Sequence, residues 1–227
     1  MIKVENISVH GFDSAVRAMR HPMQSYDRSD SYWLNDVPGV KFEIGPKDLD
    51  LMRRLYKAGA EHRTYARMIY CTMEIEAPLY WWKEMDRYTV GKSQVSTSTM
   101  HKIHAKEFTV DDFSFEHLID KEMNGIIGDP ESVWIEQQEG YSMDVMRLVI
   151  DALNTYRKLY RETRDKKYWL QLIQMLPSSY NQRRTVSMSY EVVFKIIKER
   201  TGHKLDEWNV LVAALRMLPY VNEIMEE

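Results

Sequence analysis

The side chains able to carry chemistry are few, and each has an ordinary alternative. Cys71 is the single thiol and so the first candidate nucleophile. A reactive thiol needs an exposed, electropositive setting that favours thiolate. Cys71 instead alternates with Ile69, Met73 and Ile75 in an apolar strand pattern, which predicts an inert core residue. His101 and His104 stand at i, i+3, but no cysteine or carboxylate accompanies them at a spacing diagnostic of a metal site. Lys102 and Lys106, beside them, read with His104 as a solvated face. Arg200 closes a helical segment. Its guanidinium is planar, permanently charged and able to make paired hydrogen bonds, and it also complements a helix C-terminal dipole. Neither a glycine-rich phosphate loop nor a Gly-x-Ser-x-Gly elbow occurs.

The elements that must position these residues follow from periodicity and turn signals. Residues 1–10 have a strand pattern with Ile2, Val4, Ile7 and Val9 as inward positions. A short helix capped by Asp13-Ser14 runs to Arg20 and is closed by His21-Pro22. Residues 23–38 read as an ordered polar and aromatic loop, and 40–44 as a strand. Apolar spacing over 47–58 predicts a helix stopped by Gly59. Residues 68–76 alternate as a strand, and a helix follows over 79–87. The Ser/Thr-rich stretch 91–100 should be extended. A short helix is expected over 111–118 and a loop over 125–140, with Gly128-Asp129-Pro130 as its turn. Helices are then predicted over 142–163, 167–175, 191–200 and 205–218, with an extended segment at 184–189.

Composition narrows the class. Thirty-one basic against 34 acidic residues, a formal charge of −3, does not describe a general nucleic-acid binder. One cysteine excludes an internal disulfide and suits a reducing cytoplasm. The N-terminus lacks a signal-peptide pattern, and the longest apolar run, Val210-Leu-Val-Ala-Ala-Leu215, is too short for a bilayer. Fifteen methionines and 14 tyrosines are assigned to packing. No repeat or linker divides the chain, so a single α+β domain over 1–227 is expected.

Three segments, taken in order, carry a resemblance. They are Ile75-Glu-Ala-Pro-Leu-Tyr-Trp-Trp-Lys-Glu-Met-Asp-Arg87 with the Ser/Thr-rich stretch after it; the helix pair from Ser142; and Leu176-Pro177-Ser-Ser-Tyr-Asn-Gln-Arg183, followed by a strand, a helix ending at Arg200, and Glu207-Trp208. This order resembles the flavin-dependent thymidylate synthases, with insertions near 21–40 and 105–140. The family's signature, Arg-His-Arg-x-x-Ser-x-Asn-x-x-Ser-x-Arg, follows an Ala-Pro. Counted from Ala77-Pro78, its first arginine is Arg87, its histidine becomes Tyr88, and its second arginine becomes Thr89. Its serines fall on Lys92 and Thr97, its asparagine on Gln94 and its last arginine on Thr99.

The resemblance implies a ThyX-like fold, FAD as cofactor, and methyl transfer to dUMP or a related pyrimidine deoxynucleotide. Methylenetetrahydrofolate and NADPH would be co-substrates, in a homotetramer whose sites are shared between subunits. Carried over by position, His62, Arg87, Tyr88 and Ser189 fall at flavin contacts. Glu84, Lys92, Gln94, Thr97, Arg200 and Glu207 fall at substrate contacts, with Arg200 facing the pyrimidine ring as the catalytic cation. Glu84 replaces a glutamine, Ser189 and Lys195 replace asparagines, and Ile173 replaces an arginine. Thr99 cannot replace a cation at the phosphate, so Lys92, His101 or Lys102 would have to compensate. The lost charges keep two alternatives open: a non-catalytic flavin- or nucleotide-binding homologue, and a hydroxymethylating enzyme.

Overall fold

Alternation along one strand organises the main sheet. In β4 (Tyr70–Pro78), Cys71, Met73, Ile75 and Ala77 are buried while Thr72, Glu74 and Glu76 are partly exposed, the two-residue period of a strand with one packed face. β1 (Lys3–His10) pairs antiparallel with it, Val4 opposite Ile75 and Val9 opposite Cys71. The computed structural model describes residues 1–34, 41–119 and 141–226. Later in the chain come β5 (Lys92–Ser96) and β6 (Asn181–Ser189), also antiparallel, and the sheet order is β1-β4-β6-β5. A second, two-stranded sheet joins β2 (Tyr32–Leu34) to β3 (Lys41–Glu43) and sets Trp33 against Phe42.

The helices are α1 (Phe12–Arg20), α2 (Pro46–Lys57), α3 (Leu79–Met85), α4 (Thr99–Lys102), α5 (Tyr141–Thr163), α6 (Lys166–Met175), α7 (Tyr190–Arg200), α8 (Asp206–Arg216) and α9 (Val221–Met225). By contact the chain falls into two compact units. One comprises Met1, 77–82 and 97–182; the other comprises 2–76, 83–96 and 183–227. The chain passes between them repeatedly, so no single linker marks a boundary in the sequence. In the first unit α5 packs on α6 around Ile103, Phe108, Phe113, Ile150, Leu153 and Leu172. In the second, Tyr190, Phe194, Trp208 and Leu211 are fully buried with the inner face of β4.

Several expectations are corrected. β1 carries a register shift between Glu5 and Ser8, with Asn6 at φ 51°; this bulge leaves Ile7 43% exposed. Gly11, not Asp13-Ser14, caps α1: its φ is 97°, and a Cβ there would lie 2.1 Å from the Met68 carbonyl oxygen. The stretch 91–100 is extended only to Ser96; Ser98 then caps α4 by accepting from the His101 amide. The helix expected over 111–118 is a single 3-10 turn, Val110–Asp112, because Phe113 bridges to Tyr180 and is buried. Val40 and the predicted 125–140 loop lie outside the described residues.

Of the loop expected over 23–38, residues 25–31 are held by polar bonds, Tyr32–Leu34 instead form β2, and 35–38 lie outside the described residues. Asp30 accepts from the Lys47 and Asp48 amides and so caps α2 from outside the helix. Asp48, fully buried, accepts from the Ser29 and Ser31 hydroxyls, the Asp30 and Ser31 amides, and Arg20 Nε at 2.6 Å. Arg20 also donates to the Ser25 and Arg28 carbonyls. Burial by itself would raise the Asp48 pKa, but the bonds from Ser29, Ser31 and Arg20 outweigh it and hold it below its ordinary value. A depressed carboxyl contributes stability that is present above its unfolded pKa, about 4, and lost as pH falls through the folded value.

Removing one partner of a buried ion pair costs about 3–5 kcal/mol. Urea denaturation at pH 7 should show Asp48→Ala less stable by about that amount. Below about pH 4, where the carboxyl of the unfolded chain takes up a proton and the folded one still resists it, wild type should lose melting temperature more steeply than Asp48→Asn. Equal slopes would mean that Asp48 is not depressed by this network.

Candidate functional site

Arg200 ends α7 and does not reach out into solvent; its side chain is 14% exposed. Nη1 donates to Glu84 Oε2 at 2.8 Å, and Nε donates to the Tyr88 hydroxyl at 3.0 Å. The Tyr88 hydroxyl in turn donates to Glu199 Oε2, 2.8 Å away. Trp208, from the first turn of α8, donates Nε1 to the same Glu84 oxygen at 3.2 Å. Its ring lies against the guanidinium, with Arg200 Cζ 4.3 Å from the ring centroid; the Tyr88 centroid is 5.7 Å away. Such cation–ring contacts contribute roughly 0.5–2 kcal/mol, so they orient the guanidinium plane as well as anchoring its charge.

His203 completes the cluster. Its Nδ1 lies 3.1 Å from the Leu205 amide, which donates to it. Nε2 lies 3.1 Å from Arg200 Nη1 and 3.9 Å from Glu84 Oε2. Two donors, Arg200 Nη1 and Trp208 Nε1, therefore meet at one carboxylate oxygen, with the imidazole edge beside them. Arg200 Nη2 makes no hydrogen bond among the described residues, which leaves one nitrogen of the guanidinium as a donor. Burial is the first cause that raises the Tyr88 pKa, and the bond to Glu199 adds to it against Arg200. The phenol stays protonated at neutral pH.

The remaining predicted residues divide. Lys92 and Gln94 form a second network. Lys92, its side chain 4% exposed, donates to the Met85 carbonyl and to Gln94 Oε1, while Gln94 Nε2 donates to Asp86. Arg184 also donates to Asp86, at 2.8 Å. Burial lowers the Lys92 pKa and the positive charge of Arg184 lowers it further, while Asp86 opposes both. The Lys92 ammonium is thus engaged within the protein. Arg87 is exposed in the turn after α3, and His62 is exposed in the turn after α2. Neither side chain makes a hydrogen bond or ion pair among the described residues. Ser189 is 2% exposed, and its amide donates to the Gly91 carbonyl. Glu207, at 4% exposed, sits in the first turn of α8. Thr97 is exposed just beyond β5, and its carbonyl accepts from Gln182.

Glu199 and His203 were not singled out from sequence. Their one signal is the string Glu199-Arg200-Thr-Gly-His203, where a helix stop follows the arginine and turns an imidazole back beside it. Cys71 is buried, and burial pushes its thiol up to about 12. Thiolate chemistry is absent from this position. A cavity of about 750 Å³ opens in the same unit, walled by Phe12, Trp33, Phe42 and Tyr220. None of the predicted site residues lines it.

Glu84→Ala leaves Arg200 and the Trp208 N–H without their common acceptor, which should cost about 1.5–3 kcal/mol in urea denaturation. Glu84→Gln, which keeps an oxygen, should recover part of that loss. An unchanged midpoint for the alanine variant would show that the pairing does not hold in solution. Cys71 should resist a disulfide reagent in native protein and react once in denaturant; rapid native reaction would contradict its burial.

No family model and no curated protein matches this chain. Solved structures do match. Thymidylate synthase X from Helicobacter pylori, crystallised with FAD and dUMP, shares 20% identity at a TM-score of 0.66, over 100% of this chain and 98% of its own. The UMP/dUMP methylase PolB from Streptomyces cacaoi, bound with 5-Br dUMP, shares 18% at a TM-score of 0.58, over 99% and 94%. Identities this low establish architecture and not activity: the chain has the α+β fold of the flavin-dependent thymidylate synthases.

Proposed function

We propose that this chain is a flavin-dependent, thymidylate synthase-like enzyme that transfers a one-carbon unit to dUMP or a related pyrimidine deoxynucleotide. The observation that carries the reading is Arg200, held over the Trp208 ring and bonded to Glu84 and Tyr88, in a fold shared with proteins crystallised with FAD and with uracil nucleotides. When bound, reduced FAD supplies a hydride to the reaction. Methylenetetrahydrofolate as carbon donor and NADPH as reductant complete this reading.

The chain's own residues supply binding and charge. Arg200 offers Nη2 toward a ring carbonyl and stabilises negative charge as it develops there, a role that needs a fixed donor more than a nucleophile. Glu84 holds the guanidinium in register and stands ready to accept an N–H from the ring edge. Tyr88, tethered by Glu199, fixes the Nε side. His62 and Arg87 fit a flavin: each is exposed and uncommitted to other described residues, one an imidazole and the other a guanidinium able to meet phosphate or ring oxygens. Ser189 and Glu207, both buried, would support the site from beneath. Lys92 and Gln94 would shape the β5 edge rather than hold phosphate, since their polar atoms are engaged internally.

A second reading has its own observation. Arg200 is already neutralised by Glu84, and the signature's later cations stand as Thr89 and Thr99. A homologue that binds flavin or nucleotide without catalysis matches that loss of positive charge. We further propose a homotetramer with shared sites and a cytoplasmic location. Among the described residues no helix is long and apolar enough to cross a membrane.

Titrating FAD into dialysed protein should give a saturable change in flavin fluorescence, and its absence would remove the cofactor. Light scattering should report a tetramer; a monomer at micromolar concentration would count against shared sites. Calorimetry should find dUMP affinity reduced about ten- to a hundredfold by Arg200→Ala, with partial recovery in Arg200→Lys, which keeps charge but loses the fork. Unchanged affinity in a folded Arg200→Ala protein would overturn the assignment. Binding of FAD and dUMP without turnover would select the non-catalytic reading.

A further inference from the structure

A second concentration of charge lies wholly within the first unit. Arg157 and Arg161 stand at i and i+4 near the C-terminal end of α5, which places them on one helix face; Arg164 follows the helix directly, at φ 58°, where the chain leaves the helical path. His104 and Lys102 come from the end of α4 and the turn after it. The His104 ring meets Tyr160 edge to face at 4.9 Å, and Arg164 Cζ lies 5.9 Å from the same tyrosine ring. No ion pair engages these four cations among the described residues. The His104 pKa is lowered, first by burial and then by the charges of Arg164, Arg161, Lys102 and Arg157, so all four act on this one imidazole.

A solvated face or a helix dipole does not account for the whole cluster. The dipole favours Arg161 in the last turn and Arg164 just beyond it. It does not explain why Arg157 Nε and His104 Nδ1 are shielded from solvent with no hydrogen-bond partner among the described residues. A buried, unpaired polar atom costs about 1–3 kcal/mol, and here two occur within a group of like charges. An anion seated among them would offset both the repulsion and the missing bonds.

We propose that Lys102, His104, Arg157, Arg161 and Arg164 form a binding site for a diphosphate group. Three guanidinium forks match phosphate oxygens, and four fixed cations exceed what a single carboxylate would balance. Arg157 and Arg161 are about one turn apart, roughly 6 Å of helix axis, and Arg164, just past the helix end, lies over Tyr160, which stands between those two in sequence; so compact a group suits a diphosphate better than an extended polyanion. The net charge of −3 likewise argues for one local site. The site is independent of the Arg200 cluster and of the reaction proposed for it.

The probes are inorganic pyrophosphate and ADP, titrated into the full chain by calorimetry at low salt. Histidine proton resonances, followed through a pH titration with and without pyrophosphate, give a second readout. Saturable binding is expected, together with a rise in the His104 titration midpoint as the anion offsets the four cations. Arg161→Gln/Arg164→Gln changes two exposed side chains and should fold normally by its melting curve. It should weaken binding about tenfold or more. Tighter binding of ADP than of pyrophosphate would assign a nucleoside diphosphate; equal or weaker binding would assign free diphosphate. The proposal is overturned by no saturable binding, by binding that the double variant retains, or by a tetraglutamate peptide binding more tightly than either phosphate.

Discussion

A guanidinium cannot lose its charge, and Arg200 keeps most of its side chain out of water. Everything placed around it answers that constraint. Glu84 brings the opposing charge from α3, Trp208 and Tyr88 bring π faces, and Glu199 and His203 flank it along its own segment. Helix α7 must stop where it does, because Thr201 and Gly202, the latter at φ 71°, reverse the chain so that His203 and then α8 return toward the arginine. A longer α7 would carry His203 and Trp208 away. The position of one permanent charge thus sets the end of one helix and the start of the next.

The same rule operates at Arg20, with a different outcome. There the carboxylate of Asp48 accepts five hydrogen bonds, and Arg20 is consumed by Asp48 and two carbonyls. Nothing remains for a ligand, and the network serves to fasten 25–31 onto α1 and α2. At Arg200 the pairing is incomplete: Nη2 has no partner among the described residues, and Glu84 is about one-third exposed. One buried and one half-buried arginine in the same unit therefore differ in how much donor capacity the fold leaves unspent. That difference, more than burial itself, separates a structural cation from a candidate site.

How much was legible in sequence depends on how local the cause is. The strand at β4 and the helices α5 to α8 follow from apolar periods of two and 3.6, and their boundaries shift by only a residue or two. The bulge at Asn6 was half visible, since Ile2 and Val4 differ in parity from Ile7 and Val9, a break that a strand accommodates with one extra residue. The cap of α1 was not visible. Asp13 and Ser14 look like caps, whereas the glycine requirement at Gly11 comes from Met68, far along the chain. The pairing of Phe113 with Tyr180, which ends any helix near 112, is likewise long-range. At the site, Arg200 and Glu84 were named separately, by resemblance, while their bond to each other depends on tertiary structure.

The substitutions in the signature acquire a physical meaning from this arrangement. Tyr88 stands where the resemblance expects a histidine. A phenol held proton-outward by Glu199 can accept from Arg200 without adding a positive charge. Glu84 stands where a glutamine is expected, and adds a negative charge beside the same guanidinium. The loss of positive charge at Thr89 and Thr99 is thus accompanied by a negative charge at the ring-facing position. On the proposed reading, the pocket is less electropositive than the family pattern implies, so binding must depend more on hydrogen-bond geometry than on net attraction. A carboxylate next to a guanidinium offers an acceptor beside a donor, which complements a ring edge carrying an N–H beside a carbonyl. Specificity for the base can therefore survive where affinity for the phosphate has been weakened, because the two rest on different parts of the chain.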